Sequence, residues 1–331
     1  MRSLITGANG LIGSHIVGEL LNRGESVRAF VKPETDISTI KPYSRDMEIV
    51  CGDIRDRGGV EKAVRGCDEV YHLAGIHLLW EKDKWIFNDV NVVGTENVVE
   101  ESVKNNLKRI IFTSTCDIVG VNQRARGELG DERDVTEKVE DAFGPYGRSK
   151  ILSERAVRNF SDEIEVVVVH PSCPIGKNNT LPTEPGRLIE SILRENLKGY
   201  IERKMNFVHV EDCANGHILA MKNGKKDERY VLAGKNIHIR DFINKVAELG
   251  SVRAPRLVVP YGVGIGFAYA SEKLGKFNGF VPRVSVEAVR LIKDNFVFNS
   301  EKAERELGYK FRGLNETVID AVEWHLGRIR N

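Results

Sequence analysis

The chain opens on "MRSLITGANGLIG" (1–13). Arg2 to Thr6 reads as a strand that runs straight into Gly7, with Gly10 and Gly13 behind it. After Gly10, the apolar residues Leu11, Ile12, Ile16, Val17, Leu20 and Leu21 recur at helical spacing and stop at Gly24. A second strand follows over Ser26 to Val31. The glycines therefore lie at a strand-to-helix turn. A helix N-terminus offers unpaired N–H donors and a partial positive charge, and a phosphate reaches them only where no Cβ intervenes. Such a turn suits the diphosphate of a dinucleotide. A tight turn that merely needs glycine would carry the same residues, and the strand–helix–strand context is what favours the phosphate reading.

The alternation continues outward. Strands are read at "MEIVCG" (47–52), "EVYHLAG" (69–75), "RIIFTST" (109–115) and "EVVVVH" (165–170), with a long helix over about Lys84 to Asn105 and another from Pro145 to about Phe160. The near-continuous apolar run 165–170 fits a strand buried on both faces of a parallel sheet. The expected fold is α/β, a doubly wound parallel (Rossmann) sheet over residues 1–170. Proline and glycine crowd "PSCPIGKNNTLPTEPG" (171–186), and later elements are shorter. Residues 171–331 are expected to form mainly a smaller, substrate-binding lobe, with 207–222 returning to the first and "RYVLAG" (229–234) belonging to the second.

Composition narrows the class. The chain has 331 residues, 41% hydrophobic and 29% charged, with a formal net charge of +1. That is a globular composition with no whole-chain electrostatic case for nucleic acid or an anionic membrane. Five scattered cysteines without a C-x-x-C pair predict reduced thiols in a cytoplasmic protein, and no metal-ligand spacing is visible. The apolar run "LVVPYGVGIGFAYA" (257–270) is too short to span a bilayer and is interrupted by Pro260. It is expected either to cover an apolar substrate or to be a core or lid helix without substrate contact.

The chemistry centres on "YGRSK" (146–150). Tyr146 and Lys150 stand four apart, on one helix face. A phenol is an acid near pH 10, and an adjacent ammonium should lower it toward the working range, so that a proton can pass to or from a substrate oxygen while hydride moves. Ser114 and Thr115 end the strand 109–115, where a hydroxyl can hold that oxygen. His72 is expected to be a packed histidine.

These motifs together resemble the extended (atypical) short-chain dehydrogenase/reductases, the NAD-dependent epimerase/dehydratase family, and within it the dihydroflavonol reductase-like and hopanoid-associated sugar epimerase-like branch. The resemblance rests on "TGANGLIG" (6–13), "GDIRD" (52–56), "HLAG" (72–75), "NVVGTENVVE" (91–100), "FTSTCDIVG" (112–120), "YGRSK" and "HPSCPIG" (170–176), in family order. It implies Thr115, Tyr146 and Lys150 as catalytic residues, with Lys150 also binding the nicotinamide ribose. It implies a cofactor held by Gly7, Asn9, Gly10, Leu11, Ile12 and Gly13, by Asp53 and Ile54 at the adenine, by Leu73, Ala74, Gly75 and Thr113 along the cleft, and by Pro171, Cys173 and Ile175 at the nicotinamide. Asn91 would anchor the long helix, Ser114, Asp117 and Arg187 are substrate candidates, and a homodimer is implied.

An acid ending the second strand would bind a ribose 2′-OH, whereas a base accommodates a 2′-phosphate. Here Val31 fills that place and Lys32 follows, so NADP(H) is the preferred cofactor, with NAD(H) the alternative. Arg28 is close in sequence, but alternation along a strand can point it elsewhere. The leading functional reading is an NAD(P)-dependent oxidoreductase that interconverts a carbonyl and an alcohol. A nucleotide-sugar epimerase or dehydratase and a weakly catalytic redox sensor are the competing readings.

Overall fold

The computed structural model describes residues 1–181, 183–278 and 284–330. Pro182, within the stretch 171–186, lies outside them. In chain order the elements are β1 (Arg2–Thr6), α1 (Leu11–Asn22), β2 (Ser26–Val31), β3 (Glu48–Cys51), α2 (Arg57–Val64), β4 (Glu69–His72), α3 (Trp85–Phe87), α4 (Gly94–Lys104), β5 (Arg109–Thr113), α5 (Val121–Ala125), α6 (Pro145–Arg158), β6 (Glu165–Pro171), β7 (Pro174–Ile175), α7 (Glu184–Leu193), β8 (Gly199–Tyr200), β9 (Lys204–His209), α8 (Val210–Asn223), β10 (Arg229–Leu232), β11 (Lys235–His238), α9 (Ile239–Gly250), β12 (Leu257–Val258), α10 (Tyr261–Asn278), α11 (Val286–Leu291), α12 (Glu301–Leu307) and α13 (Leu314–Arg330).

Seven strands form one sheet in the order β3-β2-β1-β4-β5-β6-β10, and every neighbouring pair is parallel. Order reverses between β1 and β4, and at such a switch point loops part to leave a crevice at the carboxyl edge. Side-chain alternation divides the strands between two cores. Ile5, Ile111, Val167 and Val169 pack with Ile16, Val17 and Leu20 of α1 and Ala214 and Ile218 of α8. Leu4, Ile110, Val166 and Val168 pack with Val60, Val64, Val98, Val99 and Val157 on the opposite side. Two buried faces are why 165–170 reads as unbroken valine.

Three placements differ from expectation. Residues 229–232, expected in the smaller lobe, form the seventh strand of the main sheet, with Val231 opposite His170. A four-residue strand gives no local sign of its sheet. Residues 207–209, expected to return to the first lobe, end β9, which pairs with β7 and β11, and His209 Nδ1 accepts the Glu211 N–H at 3.1 Å and caps α8. The single helix expected over 84–105 carries a π-helical turn at Asn88–Val93 between α3 and α4, a form often associated with functional sites.

The smaller lobe is built on a three-stranded sheet, β11-β9-β7. Its core joins Ile175, Phe207, Ile189, Phe242, Val246, Val318 and Val322, with the Phe207 and Phe242 rings stacked at 3.9 Å between centroids. The apolar run 257–270 forms β12 and most of α10. Ala268 packs on Val286 and Val289 of α11, while Val263, Phe267 and Leu274 are exposed. Among the described residues no helix is long and apolar enough to cross a membrane, no group of histidine, cysteine and acidic residues could hold a metal ion, and no cysteine is disulfide-bonded.

Candidate active site

A cavity of about 700 Å³ opens at the carboxyl edge of the main sheet and continues under α7 and α11. Its first wall is the glycine turn. Gly7 has φ +68°, a left-handed conformation that side chains disfavour, and a Cβ there would stand 2.9 Å from the Ala74 nitrogen. A Cβ at Gly13 would run into the Gly7 carbonyl oxygen, so Gly13 lets α1 lie close against the turn. Gly10 begins α1, and no side chain caps the helix. The first-turn N–H groups therefore face the cavity as donors for an anion. Asn9 braces the loop, its Nδ2 donating to Thr35 Oγ1 at 3.0 Å and to the Asp36 carbonyl at 2.9 Å. These residues fit a dinucleotide diphosphate, because the cradle combines free donors with backbone that nothing shields.

His72 explains how the second wall is held. Its ring lies buried between Thr6 Oγ1, 2.7 Å from Nδ1, and Thr95 Oγ1, 3.0 Å from Nε2. Thr95 donates to the Asn91 carbonyl, and Thr6 Oγ1 accepts the N–H groups of Leu73 and Ala74. Burial pushes the imidazole down to about 3, so it is neutral and structural. Asn91, in the π turn, holds the same loop to α6. Its side chain exchanges hydrogen bonds with the Ile76 backbone and donates to Ser149 Oγ at 2.8 Å.

At the sheet edge Thr115 and Tyr146 both line the cavity, and the Thr115 hydroxyl is close enough to the phenol to act on it. Thr115 Oγ1 also accepts the Asp117 N–H at 3.2 Å. Lys150 Nζ donates to the Thr113 carbonyl at 2.6 Å and lies 4.5 Å from the Phe112 ring centroid. Burial brings the lysine down to about 8, opposed by the Glu154 carboxylate. The phenol does not behave as the sequence implied. Burial raises it above the ordinary phenol value, the Asp117 carboxylate adds to the rise, and the neighbouring Thr115 hydroxyl opposes them. The ammonium is engaged with a carbonyl, so Tyr146 is held in its protonated form.

Of the other expected contacts, Leu11, Ile12, Lys32, Asp53, Ile54, Gly75, Pro171 and Cys173 line the cavity. Asp53 is paired with Arg55, whose Nη2 donates to it at 2.7 Å. Arg28 is buried and points away, its Nε donating to Glu48 at 2.8 Å. Thr113 lines the cavity too, but its hydroxyl is 3.2 Å from His217 Nε2. Three placements are corrections. Ile175 does not line the cavity, because it is buried in the core of the smaller lobe and its strand pairs with β9. Ser114 reaches the wall, but its hydroxyl donates to Glu154 Oε2 at 2.7 Å, and the same carboxylate binds Arg229 Nε at 2.6 Å. Arg187 lies outside the wall, half-exposed and paired with Glu184 at 3.2 Å. The apolar run 257–270 contributes nothing to the lining either. α11, packed beneath it, supplies Ala288 and Leu291 instead.

Two residues escaped the sequence reading. The Glu287 carboxyl of α11 lies at the start of α6, filling the space where Gly144 would carry a Cβ, and the backbone N–H groups of Tyr146 and Gly147 are close enough to act on it. Burial and the Asp117 carboxylate push Glu287 up to about 8. Arg203, just ahead of β9, stands on the cavity wall. A basic residue directly before a strand was the available signal for it.

Comparison with known proteins agrees with this geometry. The chain is 30% identical over 325 residues to a protein of Synechocystis named putative dihydroflavonol 4-reductase, covering 97% of this chain and 93% of that one. It is 29% identical over 331 residues to sterol demethylase protein B of Methylococcus capsulatus, covering 98% of each. The crystal structure of gox2253 superposes with a TM-score of 0.86 at 31% identity, covering 99% of both chains. The sequence pattern described as the NAD dependent epimerase/dehydratase family matches residues 3–233. With the glycine turn, the Tyr146–Lys150 helix and this match taken together, the chain belongs to the NAD dependent epimerase/dehydratase family and is an enzyme of the extended short-chain dehydrogenase/reductase type.

Proposed function

We propose that the chain is an NADP(H)-preferring oxidoreductase that interconverts a carbonyl and an alcohol. The observation that carries the reading is the convergence of Thr115, Tyr146 and Lys150 on one cavity with the glycine turn. The nicotinamide cofactor, when bound, supplies or accepts the hydride. In the reductive direction the Tyr146 phenol gives its proton to the substrate oxygen, and the Thr115 hydroxyl donates a hydrogen bond that orients the same oxygen. The upward push on the phenol suits that direction, because it keeps the donor loaded near neutral pH. Lys150 holds positive charge beside the phenolate that forms. Lys32, exposed at the end of β2 and close enough to Asp53 to act on it, would meet a 2′-phosphate, and no acid stands in its place. The reductase in the Synechocystis relative's name points the same way, and the cavity's apolar wall beyond Tyr146 suits a largely apolar substrate.

The test is consumption of NADPH, followed at 340 nm, with a panel of apolar ketones. Tyr146→Phe should lower turnover at least about a thousandfold, a loss in the range of a removed general acid, and leave cofactor affinity within about threefold. Full activity in that variant would refute the role. Sugar interconversion without net cofactor consumption would instead support the epimerase.

A further inference from the structure

Arg203 lies between β8 and β9 and faces the cavity. A guanidinium carries five N–H donors in a planar fork and has no acceptor. Here Nη2 stands 3.1 Å from the Met205 thioether and Nη1 stands 3.4 Å from the Ile292 carbonyl. Sulfur is a weak acceptor, and the second contact is long. Nε is shielded from solvent and has no hydrogen-bond partner among the described residues. Among the described residues no carboxylate pairs with the guanidinium, and the Cys173 side chain is close enough to act on it. Burial lowers it only to about 10, so it is a cation at neutral pH. The cavity's other cations differ. Arg55 is paired with Asp53, Lys150 is seated on a carbonyl, and Lys32 is exposed.

The surroundings of Arg203 are apolar. Met205 and Ile292 touch it, and Phe296 joins Met205 through a backbone bridge. A buried cation without a counter-charge is unfavourable unless something pairs with it. α11 relates this cation to the reacting end of the cavity. Glu287 meets the start of the Tyr146 helix, and Ile292, five residues on, meets Arg203. At ~1.5 Å of rise per residue, that is about 7.5 Å of helix.

We propose that Arg203 anchors an anionic group, a carboxylate or a phosphate, on a substrate with an apolar body whose reacting hydroxyl or carbonyl stands at Tyr146. The inference rests on the oxidoreductase reading for the second half of that statement only. The anchor itself is a binding property and can be tested without turnover. A guanidinium fork matches either oxyanion bidentately, and an apolar wall disfavours a sugar.

The probes are decanoate, decyl phosphate, decanol and decyltrimethylammonium, titrated into the full chain by calorimetry. At least one of the two anions should bind about tenfold or more tighter than decanol, and the tighter anion identifies the group. Arg203→Met should abolish that preference, binding decanol and both anions within about threefold, and should melt no lower than wild type because it removes an unpaired cation. Arg203→Lys should keep a reduced preference. Tyr146→Phe should leave all four affinities unchanged, which separates a failed anchor from failed chemistry. Equal binding of the anions and decanol by the wild type would overturn the proposal, as would a preference that survives Arg203→Met. A lowered melting temperature in Arg203→Met would also overturn it, by showing that the arginine holds the fold rather than a ligand.

Discussion

Replacing Glu287 by glutamine tests whether the smaller lobe controls the Tyr146 helix through a buried carboxyl. The carboxyl lies against the backbone N–H groups at the start of α6 but sits near the Asp117 carboxylate in a desolvated place, with Lys84 giving slight relief. Its value rises from 4.5 to about 8. The folded chain therefore holds this proton more tightly than the unfolded chain. Stability from this group is fully present below the ordinary carboxyl range and is lost as pH rises toward about 8. The whole difference is roughly 4–5 kcal/mol at ~1.36 kcal/mol per tenfold in proton affinity, of which roughly 2–3 kcal/mol falls between pH of about 6 and about 9. At about 2 °C per kcal/mol for a chain of this size, that is ~4–6 °C in Tm. Glutamine keeps an acceptor oxygen for the helix and carries no charge at any pH. Thermal unfolding of both proteins across this range should show the wild type losing ~4–6 °C relative to Glu287→Gln, with Asp117→Asn removing part of the difference. Parallel Tm curves for wild type and Glu287→Gln would refute the reasoning.

The glycine turn predicts a graded series. Gly10→Ala places its Cβ a tight 3.2 Å from the Gly7 carbonyl oxygen, so the turn must shift by a few tenths of an ångström, and melting should fall modestly while cofactor affinity falls about tenfold to a hundredfold, the equivalent of ~1–3 kcal/mol of overpacking. Gly13→Ala meets backbone directly and should lower both Tm and affinity, and nucleotide fluorescence titration beside thermal unfolding separates the two. Lys32→Ala should weaken NADPH about tenfold and leave NADH nearly unchanged, by analogy with the ~1.5–3 kcal/mol of a charged hydrogen bond, and equal discrimination in both proteins would remove Lys32 from the cofactor assignment.

How much of the site was legible follows from how local each signal is. The glycine turn, the strand runs and the Tyr146–Lys150 spacing are written within one or two turns of backbone, so they could be read directly, and the cofactor wall assembled where those elements end. Tyr146 was legible because it belongs to an element of clear period, and Thr115 because it follows directly on the apolar strand that ends at Thr113. Ser114 was not, because the partner that takes its hydroxyl, Glu154, lies forty residues on.

By itself the sequence determined the Rossmann alternation, the turn that admits a diphosphate and the helix that carries the phenol and its lysine, since backbone conformation and hydrophobic period decide all three. Only the tertiary structure decided which charges share a desolvated space. It brought Glu287 onto the start of the Tyr146 helix, turned the Lys150 ammonium to a carbonyl rather than the phenol, placed 229–232 in the main sheet and left Arg203 facing an apolar wall. Those outcomes depend on segments distant in the chain meeting in three dimensions, and the electrostatic cost of burial exists only after they have met.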